Sequence, residues 1–288
     1  MSSQYRGLPD SRSQEIARLA TTVADDYFPD HRVNPEAILD DLGISCIFGD
    51  YEDAFDGLLE HEDGQFRVYC NTSRCGHPNK PRARFTLAHE LGHYYIDEHR
   101  RALRTQSVRR LKSFCSFESN RRVEREADLF ATCLLMPPYR FAQEVESAPE
   151  GLDGILDLKA NFGTSVTSTA IRYAKHDAMP CAVIKWRSDE FGWRWISQSM
   201  YERGLGQTMD EIEEVPRGSA TAQALDDTPP DEGRYHQRGG TASFWFPNRR
   251  HGAGDPILLE QAVSLGQFGA LTLLYPDSTS QSSASAPR

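Results

Sequence analysis

The sequence predicts an α+β protein, with helices and a small mixed sheet first and a β-rich C-terminal domain after them. Three observations lead there. Two segments with helical apolar periodicity, Phe85 to Ile96 and Val123 to Met136, carry most of the unusual polar residues. Between residues 44 and 71, short β-type runs flank an Asp63-Gly64 turn signal. Beyond about Ala178 the composition changes, and all four tryptophans (Trp186, Trp193, Trp195 and Trp245) lie in that part of the chain. A length of 288 residues allows two domains of ordinary size.

In chain order, Gln14 to Phe28 spaces Ile16, Leu19, Ala20, Val23, Ala24 and Tyr27 as one helix face. Asn34-Pro35 reads as the cap and first turn of a second helix, closed by Gly43. Ile44 to Phe48 is a strand, and Gly57 to Glu60 with Phe66 to Asn71 form a hairpin across Asp63-Gly64. Val123 to Met136 is a helix ended by Pro137 and Pro138. Leu152 to Lys175 gives two short helices around Gly163. Their outline resembles a helix-turn-helix, but packing is the favoured reading and direct DNA binding is not. Ala182 to Arg187, Gly192 to Ser197, Thr241 to Phe246 and Ala270 to Tyr275 read as strands, Gln207 to Gly240 as a long loop, and Ser278 to Arg288 as a disordered tail. The organisation expected is therefore a first domain over 1–150, a helical linker over 151–177, a β-rich domain over 178–276 that serves as core, sensor or docking module, and a tail over 277–288.

His89-Glu90-Leu91-Gly92-His93 places two imidazoles one turn apart on a single helix face, where both reach the same metal ion, with a carboxylate beside them to deprotonate water. A zinc ion held this way wants a third protein ligand and one open position. Glu124 supplies that ligand: it falls at the margin of the apolar stripe of its helix, whereas Glu126 falls well round from the centre and is expected to face outward. Asp128, one turn on from Glu124, can take the spare ring N–H of a ligating histidine. The competing reading pairs Glu124 with Arg121, Arg122 or Arg125 and leaves the histidines without a third ligand.

A formal charge of −10 argues against general affinity for nucleic acid or anionic membrane. The N-terminal stretch lacks the apolar core of a signal peptide and no run approaches spanning length, so a cytoplasmic location with no membrane contact is expected. Six cysteines show no disulfide framework. Cys70, Cys75 and His77 could begin a second zinc site but lack a recognised spacing and a fourth ligand. Arg100 to Arg122 carries eight arginines and lysines against one acid, Glu118, and reads as a solvated spacer ahead of an electropositive rim for an acidic partner.

The stretch Phe85 to Tyr94, followed by Glu124-x-x-Ala127-Asp128-x-Phe130-Ala131-x-x-Leu134-Leu135-Met136-Pro137, resembles the ImmA/IrrE family of bacterial metallopeptidases, with Phe55-Asp56-Gly57 and Val68 to Asn71 resembling its strand pair. The resemblance implies a minimal gluzincin-like (zincin-type) domain. In it His89, His93 and Glu124 match the metal ligands, Glu90 the general base and Asp128 the supporting position. It also implies a helix-turn-helix repressor as protein substrate, cut to switch on stress or mobile-element genes. The family often places a further histidine after a short apolar stretch; here Asp97-Glu98 precedes His99. Tyr94, Tyr95 and Tyr139 are the candidates for holding an oxyanion. The alternative is a non-proteolytic, metal-binding regulatory or antitoxin-like partner, against which an intact Glu90 counts.

Overall fold

The computed structural model describes residues 8–29, 32–105, 110–113, 122–187, 190–209, 212–227, 234–246 and 255–277. The fold is α+β, and the chain divides into two compact units: Met1–Gln143 with Lys159–Ser165, and Glu144–Leu158 with Val166–Arg288.

The first unit opens with helix α1 (Asp10–Tyr27), which buries Ile16, Ala20, Val23 and Ala24. Helix α2 (Pro35–Asp41) starts where the Asn34 side chain accepts from the Glu36 amide, and Gly43 follows it at φ +68°. Strands β1 (Ser45–Gly49), β2 (Gly57–Glu62) and β3 (Gln65–Asn71) come next, with short helix α3 (Thr72–Cys75). Asp63 and Gly64 both have positive φ between β2 and β3, as a two-residue hairpin of the right twist requires. Then follow α4 (Pro81–Tyr95), α5 (Asp97–Arg104), β4 (Arg110–Ser113), α6 (Arg122–Leu135) and α7 (Pro138–Ser147). The sheet order is β1-β3-β2-β4, with β1 parallel to β3 and the other pairs antiparallel. The fourth strand lies within the basic run read as a spacer. Arg110 pairs with Glu60 of β2 at 3.0 Å, so part of that run is a sheet edge.

Helices α8 (Leu152–Phe162) and α9 (Val166–His176) turn about Gly163 at φ +64°. The second unit's sheet contains β5 (Ala182–Arg187), β6 (Glu190–Ile196), β7 (Tyr235–Thr241), β8 (Ile257–Ser264) and β9 (Ala270–Pro276), in the antiparallel order β6-β5-β9-β8-β7. Short helices α10 (Gln198–Glu202), α11 (Gly206–Met209), α12 (Ala220–Asp226) and α13 (Ala242–Trp245) accompany it. Trp186 is fully buried and donates its indole N–H to Thr272 Oγ1 at 3.1 Å, with Phe191 and Trp245 packed on its ring.

Two sequence expectations fail here. Gln207 to Gly240 holds α12 and β7. The Ser219 hydroxyl and the buried Glu260 carboxylate satisfy the start of α12, and β7 lacks apolar alternation because it is an edge strand. Thr241 to Phe246 is no strand: it turns into α13, so that Ala242, Trp245 and Phe246 enter one core, while an extended chain would send alternate side chains outward. The tail over 278–288 lies outside the described residues. Among the described residues no helix is long and apolar enough to cross a membrane.

Candidate metal centre

Helix α4 is buried along almost its whole length, from Ala83 to His93, because it packs against α2, α6 and the β2–β3–β4 face. Its N-terminal half is tied down by Arg84, a buried guanidinium that donates to Val33 O at 2.7 Å and to Gly163 O at 3.0 Å, beside the C-terminal end of α8. Burial, reinforced by Arg32, lowers the Arg84 pKa to about 10.

The crossing of α4 and α6 is close because residue 92 has no side chain. A Cβ there would stand 3.1 Å from Ala127 Cα and 3.2 Å from both Ala127 O and Phe130 Cβ. Glu124, one turn before Ala127, is thereby brought to the two histidines. Its carboxylate oxygens lie 3.3 Å from His89 Nε2 and 3.8 Å from His93 Nε2, and the two Nε2 atoms are 3.1 Å apart. A tetrahedral ion with bonds of about 2.0–2.1 Å separates its ligand atoms by about 3.3 Å, so the donor set fits a small divalent metal. Without a cation, two ring nitrogens and a carboxylate would face one another across a buried gap. Among the described residues these three form the group whose donor atoms converge; Cys70, Cys75 and His77 do not, and Cys115 lies outside the described residues.

The surrounding groups hold the three candidate ligands. His89 Nδ1 lies 2.8 Å from Asp128 Oδ1, which directs Nε2 toward the cage. Burial opposes charge on His89, but Asp128 and Glu124 outweigh it and push the imidazole up to about 10, so in the metal-free protein a proton stands where a cation would. Burial, with His89 and His99 nearby, holds His93 neutral, well below the usual histidine range. His93 Nδ1 lies 3.1 Å from His99 Nδ1, and His99 Nε2 lies 3.1 Å from Glu126 Oε2.

Glu126 corrects the helix phasing read from sequence. It is buried, more so than Glu124, and is held by Arg12 of α1 at 3.0 Å and by Arg122 at 2.8 Å, while Val123 of the supposed apolar stripe is exposed. Arg122 therefore serves Glu126, not Glu124.

Glu90 sits beside the cage with both carboxylate oxygens buried. Burial pushes its carboxyl up to about 8, with Glu124 adding to the shift, while His89 and a hydrogen bond from the Ser113 hydroxyl oppose it. Gly57 of β2 passes directly over it, and a Cβ there would collide with Glu90 Oε1 and Thr86 Cγ2. Gly57 and Gly92 were legible only as a weak signal: a glycine inside a helix or strand costs about 0.5–1 kcal/mol and so marks a close approach. Of the tyrosines considered for an oxyanion, Tyr139 has its hydroxyl committed to Asp25 at 2.6 Å, and the rings of Tyr94 and Tyr95 are packed, edge-on to Phe66 and stacked on Phe130 respectively.

Residues 77–173, which contain both histidines, Glu90, Glu124 and Asp128, match the family model described as Peptidase_M78, IrrE N-terminal-like domain. This segment is similar to the M78, IrrE N-terminal-like domain. The M78 match ends at Tyr173 of α9 and leaves the following sheet outside it. A solved structure described as a Mycobacterium tuberculosis transcriptional regulator shares the fold at a TM-score of 0.53, with 14% identity over 92% of this chain and 81% of that one. No curated protein matches the chain.

Proposed function

We propose that the protein is a zinc-dependent endopeptidase of the cytoplasm whose substrate is a helix-turn-helix transcriptional repressor. The observation that carries the enzymatic reading is the fully buried Glu90 carboxylate beside three donors at tetrahedral spacing. A site that only held a metal for structure would close the fourth position and would have no use for a base. The repressor is the substrate class that the family resemblance implies.

His89, His93 and Glu124 would hold the ion, and Asp128 would fix His89. Bound zinc supplies a Lewis acid for the scissile carbonyl and lowers the pKa of water to about 7. Glu90 takes the proton from the attacking water and returns it to the leaving amine. Its high pKa suits that exchange near neutral pH, and a neighbouring cation would draw it lower. Strand β4 ends the sheet order, with Ser113 paired to Gly57 above Glu90, so an extended substrate segment adding to its outer edge would run past the base.

The test pairs wild type with Glu90→Gln, which keeps size and hydrogen bonding but removes the base. Each is incubated with a candidate helix-turn-helix repressor, with and without chelator. Cleavage at one site by wild type only, abolished by chelator, is the expected result. If Glu90→Gln relieves repression in cells as well as wild type, the protein acts by binding.

A further inference from the structure

We infer that His99 and Glu126 are positioning residues for the ligand His93, acting through a carboxylate–imidazole–imidazole relay that Arg12 anchors from the N-terminal helix. The inference rests on the metal centre proposed above. A histidine that ligates through Nε2 carries its proton on Nδ1. His93 Nδ1 therefore donates to His99 Nδ1 at 3.1 Å, and that contact leaves His99 with its proton on Nε2, which donates to Glu126 Oε2 at 3.1 Å. Each bond thus has one direction, and His93 Nε2 is left as a lone pair aimed at His89 Nε2 and Glu124. The far end is fixed by two guanidinium groups. Arg12 donates to both Glu126 oxygens, at 3.2 and 3.0 Å, and Arg122 donates at 2.8 Å.

The two ligating histidines are consequently supported in different ways. Asp128 meets His89 directly, whereas the carboxylate serving His93 stands one imidazole further away. His99 and Glu126 are both buried, so solvent cannot readily replace either partner. Groups that orient a metal-bound histidine are typically worth about 10- to 100-fold in metal affinity.

The test is competition for zinc against a chromogenic chelator, using the full-length chain and its variants, with the melting temperature of each metal-free protein recorded alongside. His99→Leu should weaken zinc binding about 10- to 100-fold. His99→Gln should recover most of that loss, because its amide offers an acceptor to His93 and a donor to Glu126. Glu126→Gln should weaken binding in the same direction. Rescue by glutamine but not by leucine, at similar metal-free stability, supports the relay; a packing role would leave zinc affinity insensitive to which polar group is present. If His99→Leu unfolds, the His99→Gln and Glu126→Gln pair decides, and equal affinity of Glu126→Gln and wild type overturns the relay. Zinc affinity unchanged in a folded His99→Leu also overturns it while leaving the metal centre intact. A wild type that binds no zinc overturns the metal centre itself.

Discussion

Gly92 and Ala127 meet backbone to backbone at the crossing of α4 and α6: a Cβ at residue 92 would lie 3.1 Å from Ala127 Cα. Both neighbours are helical main chain, so neither can yield as a flexible side chain would. The crossing sets how near Glu124 comes to His89 and His93, and packing at one glycine thereby controls the metal cage.

Gly92→Val should push the helices apart. Overpacking of this kind costs on the order of 1–3 kcal/mol, and it should also reduce metal affinity, since Glu124 moves with α6. Chemical denaturation of the metal-free variant and metal titration measure the two effects separately. Wild-type values for both would show that the crossing tolerates a side chain.

Removing donors tests the cage more directly. His89→Ala, His93→Ala and Glu124→Ala should each purify with little bound metal, while Asp128→Ala should bind about 10- to 100-fold more weakly and still reach occupancy in excess metal. Metal analysis of the folded variants checks this. A Glu124→Ala protein with full metal content would assign the third ligand elsewhere.

The pH dependence of the metal-free protein follows from Glu90 and His89. Burial raises Glu90 to about 8, so the folded chain keeps a proton that the unfolded chain loses above the ordinary carboxyl range. Stability then falls as pH rises through about 8. His89, raised to about 10 against the cost of burial, acts in the same sense: its contribution is present below the ordinary histidine pKa and is lost as pH climbs through about 10. Melting temperatures in chelator should therefore drop from about pH 5 to about pH 9, and Glu90→Gln should flatten the lower half of that slope. Metal affinity should run the other way and increase with pH, because binding displaces the proton on His89. A Glu90→Gln profile identical to wild type would remove Glu90 from the account.

Arg84 places a limit on truncation. A fragment ending at residue 165 keeps the Gly163 carbonyl that Arg84 binds, and it keeps Phe162 on Phe141; a fragment ending at 143 loses both. The shorter fragment should be less stable by on the order of 1–3 kcal/mol, as expected when a buried charged donor loses an acceptor. Urea melts of the two fragments would show it, and equal midpoints would mean that Val33 O alone satisfies the guanidinium.

Much of the first unit was legible because local signals and burial agree there. Asn34-Pro35, Asp63-Gly64 and the prolines after α6 mark boundaries through backbone chemistry that tertiary contacts do not override. His89 and His93 were readable as a pair because helical spacing puts residues four apart on one face, whereas Glu124 and Asp128 were joined to them by the need for a third ligand and by the family resemblance. Glu126 was not readable, since its burial depends on Arg12, 114 residues earlier, and no local periodicity reports a partner so distant. His99 could be seen only as a departure from a spacing. In the second unit β7 was hidden by its polar edge character, and the aromatic run at Phe244 to Phe246 imitates a strand although it closes a helical turn.

The order of the donors along the chain also matters during synthesis. His89 and His93 leave the ribosome well before Glu124, so the emerging chain first offers a pair of imidazoles without the carboxylate that completes the cage. Tight binding must wait until α6 has docked through Gly92 and Ala127. A metal ion captured at that moment would favour the folded chain over the unfolded one by mass action, and cellular metal supply would then help to set how much folded protein accumulates.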